Sequence, residues 1–224
     1  MADSLPNLSV AEKLELLKIS GVRELFRQLA EGKQEFLFKL SIKYSDCQKC
    51  RLAETRTNFV YGEGDADADI MFIGEAPGSM EDLQGKPFVG PAGQLLTKML
   101  QAISLSRAEV YITNVVKCRP PGNRNPFTDE IVTCRPYLQE QIKIIEPRFI
   151  CALGKVPAHS LLNTQDSLAQ MRGKFFDYNG TKFMVTFHPA ALLYHPAWKR
   201  LAWEDLKMLR NEINKDKRER VNNV

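Results

Sequence analysis

Asp69-Ile70-Met71-Phe72-Ile73-Gly74-Glu75-Ala76-Pro77-Gly78 decides how this chain folds. Four apolar residues in a row, broken by glycine and proline, read as a short strand buried on both faces. Val110-Tyr111-Ile112-Thr113 and Phe149-Ile150-Cys151-Ala152-Leu153 repeat the pattern, and residues 182–187 do so a fourth time. Helical patterns lie between and after them, near 93–103, 128–145, 154–162 and 198–213. Strand and helix in alternation predict an α/β fold: a three-layer α/β/α sandwich about a four-stranded parallel sheet.

Residues 9–40 carry a different pattern. Ser9-Val10-Ala11-Glu12 has the form of a capping box and opens a helix with Leu14, Leu16, Leu17 and Ile19. Gly21 interrupts it, and a second helix from about residue 22 carries Leu25, Phe26, Leu29, Phe36 and Leu40. The chain thus divides into an N-terminal helical extension, 1–42, and a main domain, 43–224. The extension is expected to pack on that domain.

A net charge of +4 over 224 residues permits a nucleic-acid partner without establishing one. The run Lys215-Asp216-Lys217-Arg218-Glu219-Arg220 mixes signs, which predicts a solvated, fraying helix end rather than a nucleic-acid arm. No apolar run reaches the roughly 20 residues of a membrane span, and Met1-Ala2-Asp3-Ser4 lacks the form of a secretion signal. No membrane partner and an intracellular, reducing location are expected. There, clustered cysteines are metal ligands more often than disulfides.

Ligands of open parallel sheets bind beyond the carboxyl ends of the strands. Gly74-Glu75 follows the first strand, Asn114 ends the second and His188 follows the fourth, so a carboxylate, an amide and an imidazole are expected at one edge. The other two histidines, His159 in a helix and His195 in a loop, read as structural or solvent-facing. The glycines of 74–78 also suit a plain strand-to-loop turn, and a strand-end asparagine commonly bonds its own loop. Phe88, in the stiff segment Gly85-Lys86-Pro87-Phe88-Val89-Gly90-Pro91-Ala92-Gly93, reads equally as a core plug or as a stacking platform for a planar ligand.

Cys47-x-x-Cys50, Cys118 and Cys134 form a spaced quartet suited to a metal centre, while Cys151 sits in an apolar strand and reads as a small buried hydrophobe. Zinc and a [4Fe–4S] cluster both accept four thiolates, and the spacing does not choose between them.

Together these segments resemble the family 4 uracil-DNA glycosylases, the iron–sulfur branch of that superfamily. The matching stretches are Gly-Glu-Ala-Pro-Gly at 74–78, Glu81-Asp82, the Pro-Phe-Val-Gly core of 85–93, and Tyr111-Ile112-Thr113-Asn114-Val115-Val116-Lys117-Cys118-Arg119-Pro120-Pro121. Asn123-Arg124, Cys134-Arg135-Pro136-Tyr137 and His188-Pro189-Ala190 complete the set, in order, across about 44–209. The resemblance implies a [4Fe–4S] cluster on Cys47, Cys50, Cys118 and Cys134, and a monofunctional, base-excision-repair glycosylase acting on uracil-containing DNA, single- or double-stranded. It places Phe88 against the flipped base and Asn114 on its O4 and N3–H. Gly74, Ala76 and Glu81 join the uracil pocket, with Glu81 and its loop as the wall against thymine's methyl. Glu75 would activate water, His188 would donate to uracil O2, and Asn123 would support the water or the DNA backbone. Leu192 and Leu193 would form a wedge in the duplex. Tyr194 departs from the arginine that many relatives place after this leucine pair, and the N-terminal extension lies outside the shared pattern. The competing readings are a non-catalytic uracil- or DNA-binding homologue and a metal-stabilised nucleic-acid-binding module. No protein partner is indicated.

Overall fold

The structure, a computed structural model, describes residues 32–222. The helix expected over 9–19, and the start of the second, lie outside the described residues.

Strands β1 (Glu63–Gly64), β2 (Ile70–Gly74), β3 (Tyr111–Asn114), β4 (Phe149–Leu153), β5 (Phe175–Tyr178) and β6 (Thr181–Thr186) form one sheet in the order β1-β3-β2-β4-β6-β5. The inner four, β3, β2, β4 and β6, are mutually parallel, as the alternation of strand and helix patterns requires. The two edges are antiparallel additions, so the sheet has six strands rather than the expected four. β1 has two residues, too few for any periodicity. β5 and β6 form a hairpin across Asn179 and Gly180, both at positive φ (51° and 85°), where a mirror-image turn matches the twist of the strands. Asn179-Gly180 carries the sequence signal for such a turn.

The helices are α1 (Lys33–Tyr44), α2 (Ser79–Gln84), α3 (Pro91–Ala102), α4 (Thr128–Ile145), α5 (Lys155–Leu162), α6 (Leu168–Met171), α7 (Pro189–Tyr194) and α8 (Lys199–Asn222). Ile70 and Phe72 of β2 join one core while Met71 and Ile73 join the other, the period of two of a pleated strand. Helices α1, α4 and α5 cover the Met71 face, and α3, α7 and α8 cover the Ile70 face. Helix α1 runs through residues 42 and 43 and buries Phe36, Leu37 and Leu40 in the same core as the sheet.

Helix α8 continues well past the expected end near 213. Its last turns are not a fraying end: Asp216 is buried and pairs with Arg148, which precedes β4, and Arg220 holds Asp69, which precedes β2, at 2.8 and 3.0 Å. The mixed charges of 215–220 therefore fasten the helix across the amino ends of the sheet.

Candidate active site

The sheet register determines which side chains meet at the carboxyl edge. Gly74 lies opposite Asn114, and Thr186 ends β6 two residues before His188. Val115 N–H and Val116 N–H donate to the carbonyls of Gly74 and Glu75 at 2.9 and 3.1 Å, which carries the β2–β3 ladder past the strand ends. The strand order reverses beside β2, whose neighbours are the later strands β3 and β4, and such a reversal leaves a crevice between diverging loops. A cavity of about 450 Å³ opens there, lined by Glu75, Ala76, Glu81, Phe88, Asn114 and His188, with Asn123, Arg124 and Tyr194 also contributing. Its size suits a small planar ligand.

Asn114 is buried, and its Oδ1 has no hydrogen-bond partner among the described residues. A buried orphan acceptor costs about 1–3 kcal/mol unless a ligand satisfies it, so this amide is poised for a donor that arrives from the cavity rather than for its own loop. Gly74 lies beneath the cavity and makes room for the arrangement. A Cβ there would overlap Asn114 Oδ1 and come within 2.5 Å of Phe88 Cζ.

Phe88 is buried, yet its ring faces the cavity 5.6 Å from the His188 ring. Its φ of 54° is uncommon for a residue with a side chain, and three devices hold it. Glu81 Oε1 accepts from Val89 N–H and Gly90 N–H, both at 2.8 Å. Arg107 donates to the carbonyls of Pro87 and Phe88 at 2.8 and 3.0 Å and is itself anchored by Glu63 on β1 at 2.6 Å. Gly93 lets the Phe88 carbonyl settle on the first turn of α3, where any Cβ would overlap it. Glu81, expected in the base wall, thus has a carboxylate oxygen engaged in shaping that wall. Arg107 and Glu63 were missed, because a lone arginine before one strand and a glutamate on a two-residue strand leave no pattern.

Glu75 and His188 are tuned by burial. The Glu75 carboxyl is held above its usual range by desolvation, and no described residue pairs with it. Burial pulls His188 down to about 4, with only the Glu81 carboxylate opposing. Its imidazole is therefore neutral near pH 7. Nδ1 accepts from Ala190 N–H at 3.2 Å, which assigns the proton to Nε2. A neutral ring with a fixed Nε2–H can donate a hydrogen bond to a developing anion.

The remaining expected residues separate. Asn123 lines the cavity with φ 56°, its Oδ1 accepting from Arg119 Nε at 2.8 Å. Of the proposed wedge, Leu192 is 2 % exposed and packs in the Ile70-side core, so it cannot enter a duplex. Leu193 is 42 % and Tyr194 81 % exposed. On a helix one residue decides the face, and the leucine pair straddles the boundary. His159 Nε2 donates to the Asp166 carbonyl at 2.8 Å, and the His195 ring lies tilted 4.2 Å from that of Trp198.

The four cysteines are drawn together from three segments. Cys118 and Cys134 are buried in the Met71-side core, with Cys47 and Cys50 packed against it, and Cys134 interacts electrostatically with both members of the Cys47–Cys50 pair. Among the described residues no three cysteine, histidine or carboxylate groups gather closely enough around one point to hold a single ion. Donors nonetheless aim at the sulfurs. Arg56 Nη1 reaches Cys118 Sγ at 3.4 Å, the Tyr137 hydroxyl reaches Cys47 Sγ at 3.0 Å, and Lys117 N–H reaches Cys134 Sγ at 3.3 Å. Sulfurs surrounded by donors suit thiolates, and hydrogen bonds of this kind tune metal–thiolate centres. Burial pushes the Cys118 thiol up to about 12 and the Cys134 thiol up to about 11, against the lowering effect of Arg56 and Lys117. Four sulfurs with these donors around them are a donor set of the kind that suits a metal–thiolate centre. Cys151 is fully buried, and burial raises its thiol.

Fold and cavity together define a doubly covered α/β protein with a site for a planar, hydrogen-bonding ligand at the switch point of its sheet. Residues 61–207 match the uracil DNA glycosylase superfamily, and the chain belongs to it. The type-4 uracil-DNA glycosylase of Saccharolobus solfataricus is 48% identical over 177 residues, covering 75% of this chain and 82% of that protein. Those of Sulfurisphaera tokodaii and Archaeoglobus fulgidus are 46% and 44% identical, covering 78% and 73% of this chain and 83% and 86% of their own. No helix among the described residues is long and apolar enough to cross a membrane.

Proposed function

We propose that this protein is a monofunctional uracil-DNA glycosylase that hydrolyses the N-glycosidic bond of uracil in DNA and leaves an abasic site. The observation that carries the reading is the orphan Asn114 Oδ1 in a cavity shared with Glu75, Phe88 and His188. Uracil offers N3–H to that acceptor and O4 to the amide nitrogen. Cytosine presents the reverse pattern, so acceptor would face acceptor and donor face donor. Sites built on such pairing reject the wrong partner strongly, because buried polar groups are left unpaired. Phe88 supplies a stacking face worth about 1–3 kcal/mol, set against the few kcal/mol needed to extrude the nucleotide.

Bond cleavage builds positive charge on the sugar and negative charge on the departing base. Glu75, as carboxylate, orients water towards the anomeric carbon and stabilises the oxocarbenium-like sugar. His188 donates Nε2–H to uracil O2 as charge gathers there, and its neutrality means that no proton need be transferred. Asn123 and Arg124, at the mouth, and Leu193 with Tyr194, on the exposed face of α7, are the DNA-facing groups. Cys47, Cys50, Cys118 and Cys134 would hold a [4Fe–4S] cluster, which supplies cross-linking of three chain segments rather than redox chemistry, since hydrolysis moves no electron.

The test is incubation with a uracil-containing oligonucleotide followed by alkali, beside a Glu75→Ala/His188→Ala double variant. Alkali-labile sites from the wild type alone support the proposal. Their absence from the wild type at every salt concentration would end it.

A further inference from the structure

Of the pair Glu81-Asp82, only Glu81 lines the cavity. Both stand on α2, a helix of six residues that buries its charges and exposes its apolar side chains. Glu81 and Asp82 are its buried residues, whereas Met80 and Leu83 are exposed. A helix this short has little stability of its own. With no apolar face in the core, its position depends on what the two carboxylates hold. Glu81 Oε1 holds the N–H groups of Val89 and Gly90, next to Phe88.

Asp82 holds a different segment. Its Oδ1 accepts from Thr57 N–H at 2.9 Å and from Asn58 N–H at 3.3 Å, and its Oδ2 accepts from Thr57 N–H at 3.1 Å. In return, Asn58 Nδ2 donates to the carbonyls of Asp82 and Leu83 at 2.7 and 3.1 Å. Those carbonyls belong to the last turn of α2, where a helix has no partners of its own to offer. The strap 56–60 is itself fixed at both ends. Arg56 donates to the carbonyls of Ser45 and Cys47 at 2.8 and 2.7 Å, and Val60 N–H donates to the Lys117 carbonyl, beyond β3, at 2.8 Å. Helix α2 is thus clasped to a strap anchored beside the sheet edge that carries Asn114.

We infer that Asp82 is a positioning residue for the base platform: its buried carboxylate clasps α2 to the 56–60 strap and thereby sets where Glu81 holds Val89, Gly90 and the Phe88 ring. The inference rests on the reading of Phe88 as the face on which uracil stacks. It makes the platform a chain of backbone contacts that runs from the strap through Asp82 and Glu81 to Phe88, with Arg107 and Gly93 supporting it from the other side.

The test measures the dissociation constant of free uracil by calorimetry, kcat and KM on a single-stranded uracil oligonucleotide, and the thermal midpoint. The proteins compared are the wild type, Asp82→Ala, Asp82→Asn, Glu81→Ala, the Asp82→Ala/Glu81→Ala double variant and Arg148→Ala. Arg148→Ala lowers the midpoint from the opposite end of the sheet and is the control for lost stability alone. Asp82→Ala is expected to weaken uracil binding about tenfold and to raise KM with less change in kcat, the pattern of a misplaced group that binds ground and transition states alike. Asp82→Asn keeps Oδ1 for both N–H groups and should restore most of the affinity. Because the path runs through Glu81, the double variant should bind uracil no more weakly than Glu81→Ala, whereas independent effects would multiply. Multiplying effects overturn the inference. So does an Asp82→Ala protein that loses midpoint yet binds uracil as Arg148→Ala does. Should Asp82→Ala fail to accumulate, Asn58→Ala, which opens the same clasp from its half-buried side, carries the same expectations. A wild type that neither binds nor excises uracil would remove the proposed function, and this inference with it. A wild type that does both, beside an Asp82→Ala variant of unchanged affinity, would overturn the inference alone.

Discussion

At the amino ends of the parallel strands Asp69 meets Arg220 at 2.8 Å, Lys182 meets Glu212 at 2.5 Å and Arg148 meets Asp216. At the carboxyl ends Glu75 has no partner among the described residues, Asn114 Oδ1 has none, and His188 has been stripped of its charge by burial. Three of the four parallel strands begin at saturated polar groups, and three of the four end at unsaturated ones. The saturated end can only lose stability when altered, because all its interactions are already made. The unsaturated end carries a standing cost that only a ligand relieves, which is the condition for binding and catalysis.

Substitution at the unsaturated end should therefore act on turnover. Glu75→Gln is expected to lower kcat by roughly 10³-fold, within the range for a lost acid–base group, with little change in thermal midpoint; single-turnover excision reads the first and calorimetry the second. The pH profile sharpens this. Glu75 works as carboxylate and its carboxyl is held high, so activity should fall as pH drops through a value above the ordinary carboxylate range. His188 stays neutral above about 4, so no limb should appear near its ordinary 6.5. A limb there that vanishes in His188→Ala would break the contrast between the two ends.

His188→Ala removes one donor to the developing anion and should raise the barrier by about 2.7–4 kcal/mol, or 10²–10³-fold in kcat, while KM for a uracil oligonucleotide changes less. Arg107→Ala tests the support behind Phe88. It frees two carbonyls and a strained φ without touching the base, and about tenfold in kcat/KM is expected, more of it in KM. The smallest effect belongs to the saturated end. Arg220→Ala breaks a partly exposed pair and should cost at most about 1 kcal/mol of stability, read by chemical denaturation, and leave excision unchanged.

The positions of the four inner strands were legible to within a residue or so, because a strand covered on both faces must be a continuous apolar run. The placement of Glu75, Asn114 and His188 at one edge followed from the rule for such sheets and needed no side-chain geometry. The hairpin of β5 and β6 was announced by Asn179-Gly180 and overlooked. Leu192 was misplaced because a leucine pair does not say which member faces inward. Arg107 and Glu63 meet only through tertiary packing, separated by 44 residues. No local pattern records such meetings.

Because β4 lies between β2 and β6, His188 reaches Glu75 only after the chain has threaded its third parallel strand between the first and the last. Half of the catalytic constellation is complete by residue 114, and the other half waits for residue 188. Pairings this distant along the chain form slowly. In refolding, helical signal and the Glu75–Asn114 edge can return early, yet uracil excision should be among the last observables to recover, which makes activity a clock for the docking of β6.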